Sequence, residues 1–282
     1  MDSVQTEHPV PDQPLETEDR SALITVVIPT YNRARFIRRG IKSVLGQTMD
    51  RWKLLIVDDG SRDHTKKVVK PFLQDERIRY VRLRKNKGVS HALKTALKLV
   101  DTPFFSQLDA DDWYQPNTLE VCLNKMEKGG RKVAVVYGHE KVWKLKRGGR
   151  LKYLGKKKKR QIRGKYDFIK FHSMIYPRFY RTKALRKVGG WSTRVPHGGR
   201  FAEDRQILLK LAGRYKFKAA RKVLYNRLNH SSNNSRIENS KKYAEVTKYL
   251  YKRALRSWGN RFKPKFVRVR GRLKVGWLIR RR

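Results

Sequence analysis

An α/β fold around a mostly parallel central sheet is what this 282-residue chain predicts, and two observations carry the expectation. Short apolar runs alternate with stretches of helical periodicity through the first half. Clusters of Asp, Asn, Gly and Ser follow the strand candidates at their carboxyl ends. Strand, helix, strand, helix in that order implies parallel strands joined by right-handed crossovers. The length allows one large core or two small ones, and a hydrophobic share of 39% is enough to fill it.

The elements follow in order. Residues 23–28 form an apolar run ended by Pro29, a buried strand. Phe36, Ile37, Ile41, Val44 and Leu45 recur at helical spacing over 35–45. Residues 53–57 make a second buried strand, 65–73 a short helix, and 78–83 an alternating strand. Val89, Ala92, Leu93, Ala96 and Leu97 share one side of a helix over 89–100. A fourth strand spans 103–108, and Pro116 opens a helix reaching 128, since proline fits a first helical turn. Residues 133–137 continue the sheet. Beyond 140 the rhythm breaks: 142–143 and 151–154 flank a Lys-Arg-Gly-Gly turn and read as a hairpin. Helices are expected over 202–212 and 240–258. In the tail, Arg268, Arg270, Arg272 and Lys274 alternate with Val267, Val269, Leu273 and Val275. That pattern is either a basic hairpin around Gly271 or an extension ordered only on binding.

The domain reading is an acidic, disordered tail over 1–22, a main domain over 23–240 divided near 115, and a helical, strongly basic extension over 241–282. Charge is the unusual quantity. Seventy Lys and Arg against 24 Asp and Glu give +46, a field that attracts polyanions and opposes compaction. An anionic membrane face, an anionic glycopolymer and nucleic acid are the candidate partners; whole-proteome adaptation is the alternative reading. The single Cys122 excludes an internal disulfide. No apolar run approaches the roughly 20 residues of a membrane helix, and no secretory signal is recognisable. The expectation is a cytoplasmic protein, held at a membrane surface, if at all, by charge.

Three polar clusters fall where an open α/β sheet binds ligands, at the strand carboxyl ends. They are Pro29-Thr30-Tyr31-Asn32, Asp58-Asp59-Gly60-Ser61 and Asp109-Ala110-Asp111-Asp112. Each alone could be a turn. Carboxylates this close repel unless protonated or bridged by a cation, and hard oxygen ligands suit Mg²⁺ or Mn²⁺ beside substrate phosphates. Tyr31 offers a face for stacking a base, and Asp59 can accept from a base or ribose.

The strings ITVVIPTYN (24–32), VDDGS (57–61), NKGVS (86–90) and LDADD (108–112), with Pro116 following, resemble family 2 inverting glycosyltransferases of the GT-A fold over about residues 23–230. The resemblance implies that Pro29, Tyr31, Asn32 and Asp59 hold the nucleoside while Asp58 supports their loop. It makes Asp111 the metal ligand, Asp109 a ribose or metal-shell contact, and Asp112 a carboxylate near the sugar. Glu203-Asp204 looks like the family's acidic pair at a helix start, with Asp204 as catalytic base and Glu203 in support. Gly189-Gly190-Trp191 fits the acceptor side. His230 stands where a late metal-ligating histidine is expected, whereas His91, His172 and His197 read as structural or solvated. Where the family often places an arginine facing the diphosphate this chain has Leu93, so Lys94 is the substitute, with Arg84 and Lys87 as alternatives. The Gln-x-x-Arg-Trp motif of processive members is absent, which favours single-sugar addition. The implied donor is a uridine diphosphate sugar, and the charge points to an anionic acceptor: a glycopolymer, a lipid-linked glycan or modified DNA.

Other classes fit less well. A response regulator leaves the 109–112 cluster unexplained, and a dinucleotide-binding dehydrogenase lacks its Gly-x-Gly-x-x-Gly turn. A nucleic-acid-binding protein on the same scaffold suits the charge, but carboxylates at a sheet edge repel phosphates without a metal.

Overall fold

The computed structural model of the chain describes residues 21–230, 239–269 and 271–281. All but the last two residues of the expected acidic tail, 1–22, lie outside the described residues. Strands β1 (Ile24–Thr30), β2 (Trp52–Asp58), β3 (Ile78–Arg82) and β4 (Phe104–Gln107) are separated by helices α1 (Ala34–Leu45), α2 (Thr65–Val69) and α3 (Val89–Leu99). They lie parallel in the order β3-β2-β1-β4, with Ile24 opposite both Trp52 and Phe104. All four carboxyl ends therefore open on one edge.

Alternation along these strands feeds two apolar layers. Val27, Leu55 and Val57 face one layer with Ala92, Leu93 and Ala96 of α3. Ile24, Val26, Ile28, Leu54 and Ile56 face the other with Ile37, Ile41 and Val44 of α1. Each aliphatic side chain fully buried this way contributes about 1.5–3 kcal/mol. The helix expected over 65–73 ends sooner. It stops at Val69 and continues as a 3₁₀ turn over Lys70–Gln74, because Pro71 has no N–H to extend an α-helix.

The second half carries β5 (Trp113–Tyr114), α4 (Thr118–Glu127), β6 (Val133–Leu145), β7 (Leu151–Lys157), α5 (Lys165–Lys170), β8 (Tyr176–Arg181), α6 (Thr182–Lys187), α7 (Glu203–Ala212) and β9 (Lys216–Asn229). The sheet runs on from β4 as β8-β6-β9-β5, with β8 antiparallel to β4 and β6 but β6 parallel to β9. The strand expected over 133–137 and the hairpin arm at 142–143 are one strand, β6, whose register against β7 shifts between Val142 and Trp143. Gly138 lets β9 approach β6 closely, since a Cβ there would stand 2.7 Å from the Lys222 carbonyl oxygen.

Helix α8 (Ser240–Ser257) leads into an antiparallel hairpin of β10 (Phe262–Val269) and β11 (Arg272–Arg280), turning at Gly271 with φ +73°. The tail is thus the hairpin of the two sequence alternatives. It is docked rather than loose. Val275 is fully buried, and Phe262, Phe266 and Leu278 pack on the layer that holds Val246, Leu250 and Tyr251 of α8. No helix among the described residues is long and apolar enough to cross a membrane.

Candidate active site

The carboxyl edge of the sheet opens into a cavity of about 1440 Å³. Pro29, Tyr31, Asn32, Asp59, Asp109, Asp111, Asp112, Glu203, Asp204 and His230 all line it. Ten residues from five separate segments thus converge on one space.

The loops after β1 and β2 brace one another. Asn32, at φ +52°, takes a hydrogen bond on its Oδ1 from the Arg62 N–H, and its own N–H donates to the Ser61 hydroxyl. Asp58 is fully buried beneath them. It accepts from the Ser61 N–H at 2.7 Å and from the Tyr80 hydroxyl, so it holds the loop and does not reach the cavity. Asp59 accepts from the N–H groups of Lys87 and Gly88 at 3.0 and 2.6 Å, tying β2 to the start of α3. Burial raises its pKa against the lowering effect of those two donors. Gly88 is required there: its φ is +95°, and a Cβ would fall 2.7 Å from Arg200 Cγ. Arg200 lines the cavity and donates to the Asn86 side chain and carbonyl.

A residue that sequence reading missed organises the acidic centre. Arg178 on β8 is fully buried, with one guanidinium nitrogen on Asp204 and another 2.5 Å from Asp109 Oδ1. Gln107, at the end of β4, also donates to Asp204. The guanidinium fork matches two carboxylates at once, which an ammonium cannot do. Burial, partly offset by Arg178, pushes Asp109 up to about 6, and the neighbouring Asp204 and Asp111 carboxylates add to the rise. Glu203 and Asp112 are held well above the ordinary carboxylate range by burial and then by adjacent acids. Asp112 accepts from the Leu228 N–H at 2.7 Å, so it anchors β9 to the strand-end loop. Glu203 opens α7 just after Ala202, which sits in the left-handed region at φ +55°. Such strain in a non-glycine residue clusters at functional sites.

Asp111 Oδ2 lies 2.8 Å from His230 Nε2, and the His230 ring stacks on Phe36 at 4.3 Å. The Asp111 carboxylate is a hard oxygen donor that suits Mn²⁺ or Mg²⁺, and the imidazole nitrogen beside it suits a transition metal such as Mn²⁺ better than Mg²⁺. Among the described residues no group of three or more His, Cys, Asp or Glu converges as a metal cage. Two protein donors still fit the group, because Mg²⁺ is commonly held by one or two carboxylates plus substrate phosphates. Asp109 is engaged by Arg178 instead.

Lys94 stands apart. It is exposed on α3 and does not line the cavity, and Arg84 and Lys87 are exposed too. Leu93 is in the core. The cations that do line the cavity include Arg33, Lys159, Arg200, Arg227, Arg272 and Lys274. Arg272 and Lys274 belong to the alternating tail pattern, but nothing in the spacing of Arg33, Arg200 or Arg227 singled them out among 70 Lys and Arg. Trp191 is buried against Phe105 and Tyr180, and His172 and His197 contact the Val275 carbonyl and Glu245 respectively.

A family model described as Glycosyl transferase family 2 matches residues 25–189. The chain belongs to that family. Chondroitin synthase of Escherichia coli is 31% identical over 222 residues, covering 78% of this chain and 31% of that protein. The chain therefore spans about a third of that relative's length. Among solved structures, Staphylococcus aureus TarS 1-349 in complex with UDP-GlcNAc superposes with a TM-score of 0.64 at 18% identity, over 80% of this chain and 65% of that one. The mannosyltransferase PcManGT from Pyrobaculum calidifontis, in complex with GDP-Man and Mn²⁺, gives 0.61 at 19% identity, over 84% and 65%. These neighbours establish the GT-A fold.

Proposed function

We propose that this glycosyltransferase moves a single sugar from a uridine diphosphate sugar to an acceptor hydroxyl with inversion. The observation that carries the reading is the convergence of three strand-end loops and the Glu203-Asp204 helix start on one cavity. The UDP-GlcNAc complex of TarS supports the donor class, and the Mn²⁺ complex of PcManGT supports a divalent cation. Pro29, Tyr31, Asn32 and Asp59 line the nucleoside end, with Asp58 as the buried brace of their loop. Asp111 and His230 would hold Mn²⁺ or Mg²⁺, which when bound neutralises charge on the leaving diphosphate. Arg200 and Arg33 take the place that Lys94 was expected to fill.

Asp204 is the base. Arg178 and Gln107 fix its side chain while a carboxylate retains further lone pairs for the acceptor proton. The hydroxyl oxygen attacks the anomeric carbon as its proton passes to Asp204, and the bond to the diphosphate breaks on the opposite face. Burial, and then the adjacent Asp204 carboxylate, raise Glu203 well above the ordinary carboxylate range, which disfavours a second negative charge beside the base. Lys157, Arg272 and Lys274 on the cavity wall suit an anionic acceptor such as a glycopolymer or a lipid-linked glycan, while Lys159 and Arg227 are paired with Glu140.

Replacing the base tests the reading. Asp204→Asn keeps shape and the Gln107 contact, so nucleotide binding stays near wild type while transfer falls by about 10²–10⁴, the usual contribution of a general base. Full transfer by this variant would remove Asp204 from the role.

A further inference from the structure

The β10–β11 hairpin has two chemically different faces. Directly opposed residues of an antiparallel pair share a face. Phe262, Leu278, Phe266 and Val275 turn inward onto α8 and the core. On the other face Lys263 pairs with Ile279 and Lys265 with Trp277, and all four are exposed. Trp277 is 51% and Ile279 45% exposed, although both are large and apolar, and the Lys265 ammonium lies 5.7 Å from the Trp277 ring. Exposed Arg261 and Arg281 extend the same end, joined by a backbone hydrogen bond of 2.9 Å. No acidic residue occurs after Glu245.

We propose that this face docks on an anionic lipid bilayer. Trp277 and Ile279 enter the interface while Arg261, Lys263, Lys265 and Arg281 meet the headgroups. Charge and a small apolar group act together at such surfaces, and a tryptophan ring settles at headgroup depth. Lysine stems lie along the apolar pair while their ammonium groups stay in water. A nucleic acid would use the charges and could stack a base on Trp277, but it leaves Ile279 without an apolar partner. A bilayer uses both side chains. Val269, Arg272 and Lys274 of the same hairpin line the cavity, so a docked bilayer lies beside the cavity wall. The docking stands apart from the transferase chemistry and succeeds or fails without it.

Cys122 is fully buried, so a thiol introduced as Ile279→Cys accepts an environment-sensitive dye selectively. The probes are vesicles of phosphatidylcholine mixed with phosphatidylglycerol, and vesicles of phosphatidylcholine alone. The dye shifts to the blue on the mixed vesicles only. The double variant Trp277→Ser/Ile279→Ser keeps every charge, keeps its thermal midpoint, and loses roughly tenfold or more in partition onto mixed vesicles at physiological salt. A dye that stays in water on mixed vesicles would overturn the proposal. So would a double variant that binds as tightly as wild type, which would mean charge alone, or a dye shift seen with single-stranded DNA but not with vesicles.

Discussion

Arg178 decides how the acidic centre is arranged. Without a cation, Asp109 and Asp204 would face each other in a buried setting and one would have to protonate. With the guanidinium between them, both are paired and oriented. Removing one partner of a buried ion pair strands the other, so Arg178→Met is expected to lower unfolding free energy by about 3–5 kcal/mol. A denaturant titration measures it, and Arg178→Lys should recover part by restoring charge without the fork. A loss near zero would mean the carboxylates rearrange freely. Asp109, Asp111 and Asp112 were visible in the sequence because their cluster is one of three at the carboxyl edge of a single sheet, and Glu203 and Asp204 only through the resemblance of their helix start. Arg178 was not, because an arginine among aromatics looks like any other in so basic a chain.

At the scale of elements, β6 and β9 form the long pair that carries the site's far wall. Their approach at Gly138 leaves no room for a side chain: a Cβ would stand 2.7 Å from a carbonyl oxygen and 2.8 Å from Leu224 Cδ1. Gly138→Ala should therefore cost about 1–3 kcal/mol, the usual range for overpacking, read as a lowered urea midpoint at unchanged slope. An unchanged midpoint would show that the pair yields locally. The parallel half of the sheet was legible because β1 and β2 are apolar runs closed by Pro29 and Asp58-Asp59-Gly60, with the alternating β3 and helical periodicity between them. Strands β8 and β9 were not. Residues 177–180 of β8 are buried in succession, including Pro177 and Arg178, so no period of two appears. In β9 the buried side switches at Arg221, whose φ is +56°: Phe217 and Ala219 lie buried before it, Leu224, Asn226 and Leu228 after it. A reading by parity loses a strand that changes parity. The tail hairpin was within reach since its Val and Leu alternate with cations on both sides of Gly271. Its docking was not, because only the fold shows what Val275 packs against.

The whole molecule carries +46, and that charge repels itself in the compact state more than in the open chain. Screening lengths fall from about 30 Å at 0.01 M salt to about 8 Å at 0.15 M, so the thermal midpoint should rise over this range in sodium chloride. A midpoint that falls would mean exposed ion pairs such as Lys53–Asp101 outweigh the repulsion. The central claim, a nucleotide-sugar site assembled at one sheet edge, is tested most directly by thermal shift with nucleoside diphosphates, with and without Mn²⁺. A ligand that binds only the folded state at a hundred times its Kd adds about 2.7 kcal/mol and must raise the midpoint. The account predicts a rise with UDP that depends on Mn²⁺ and disappears in Asp111→Ala. No rise with any nucleoside diphosphate, alongside tight, salt-sensitive binding to DNA, would contradict it.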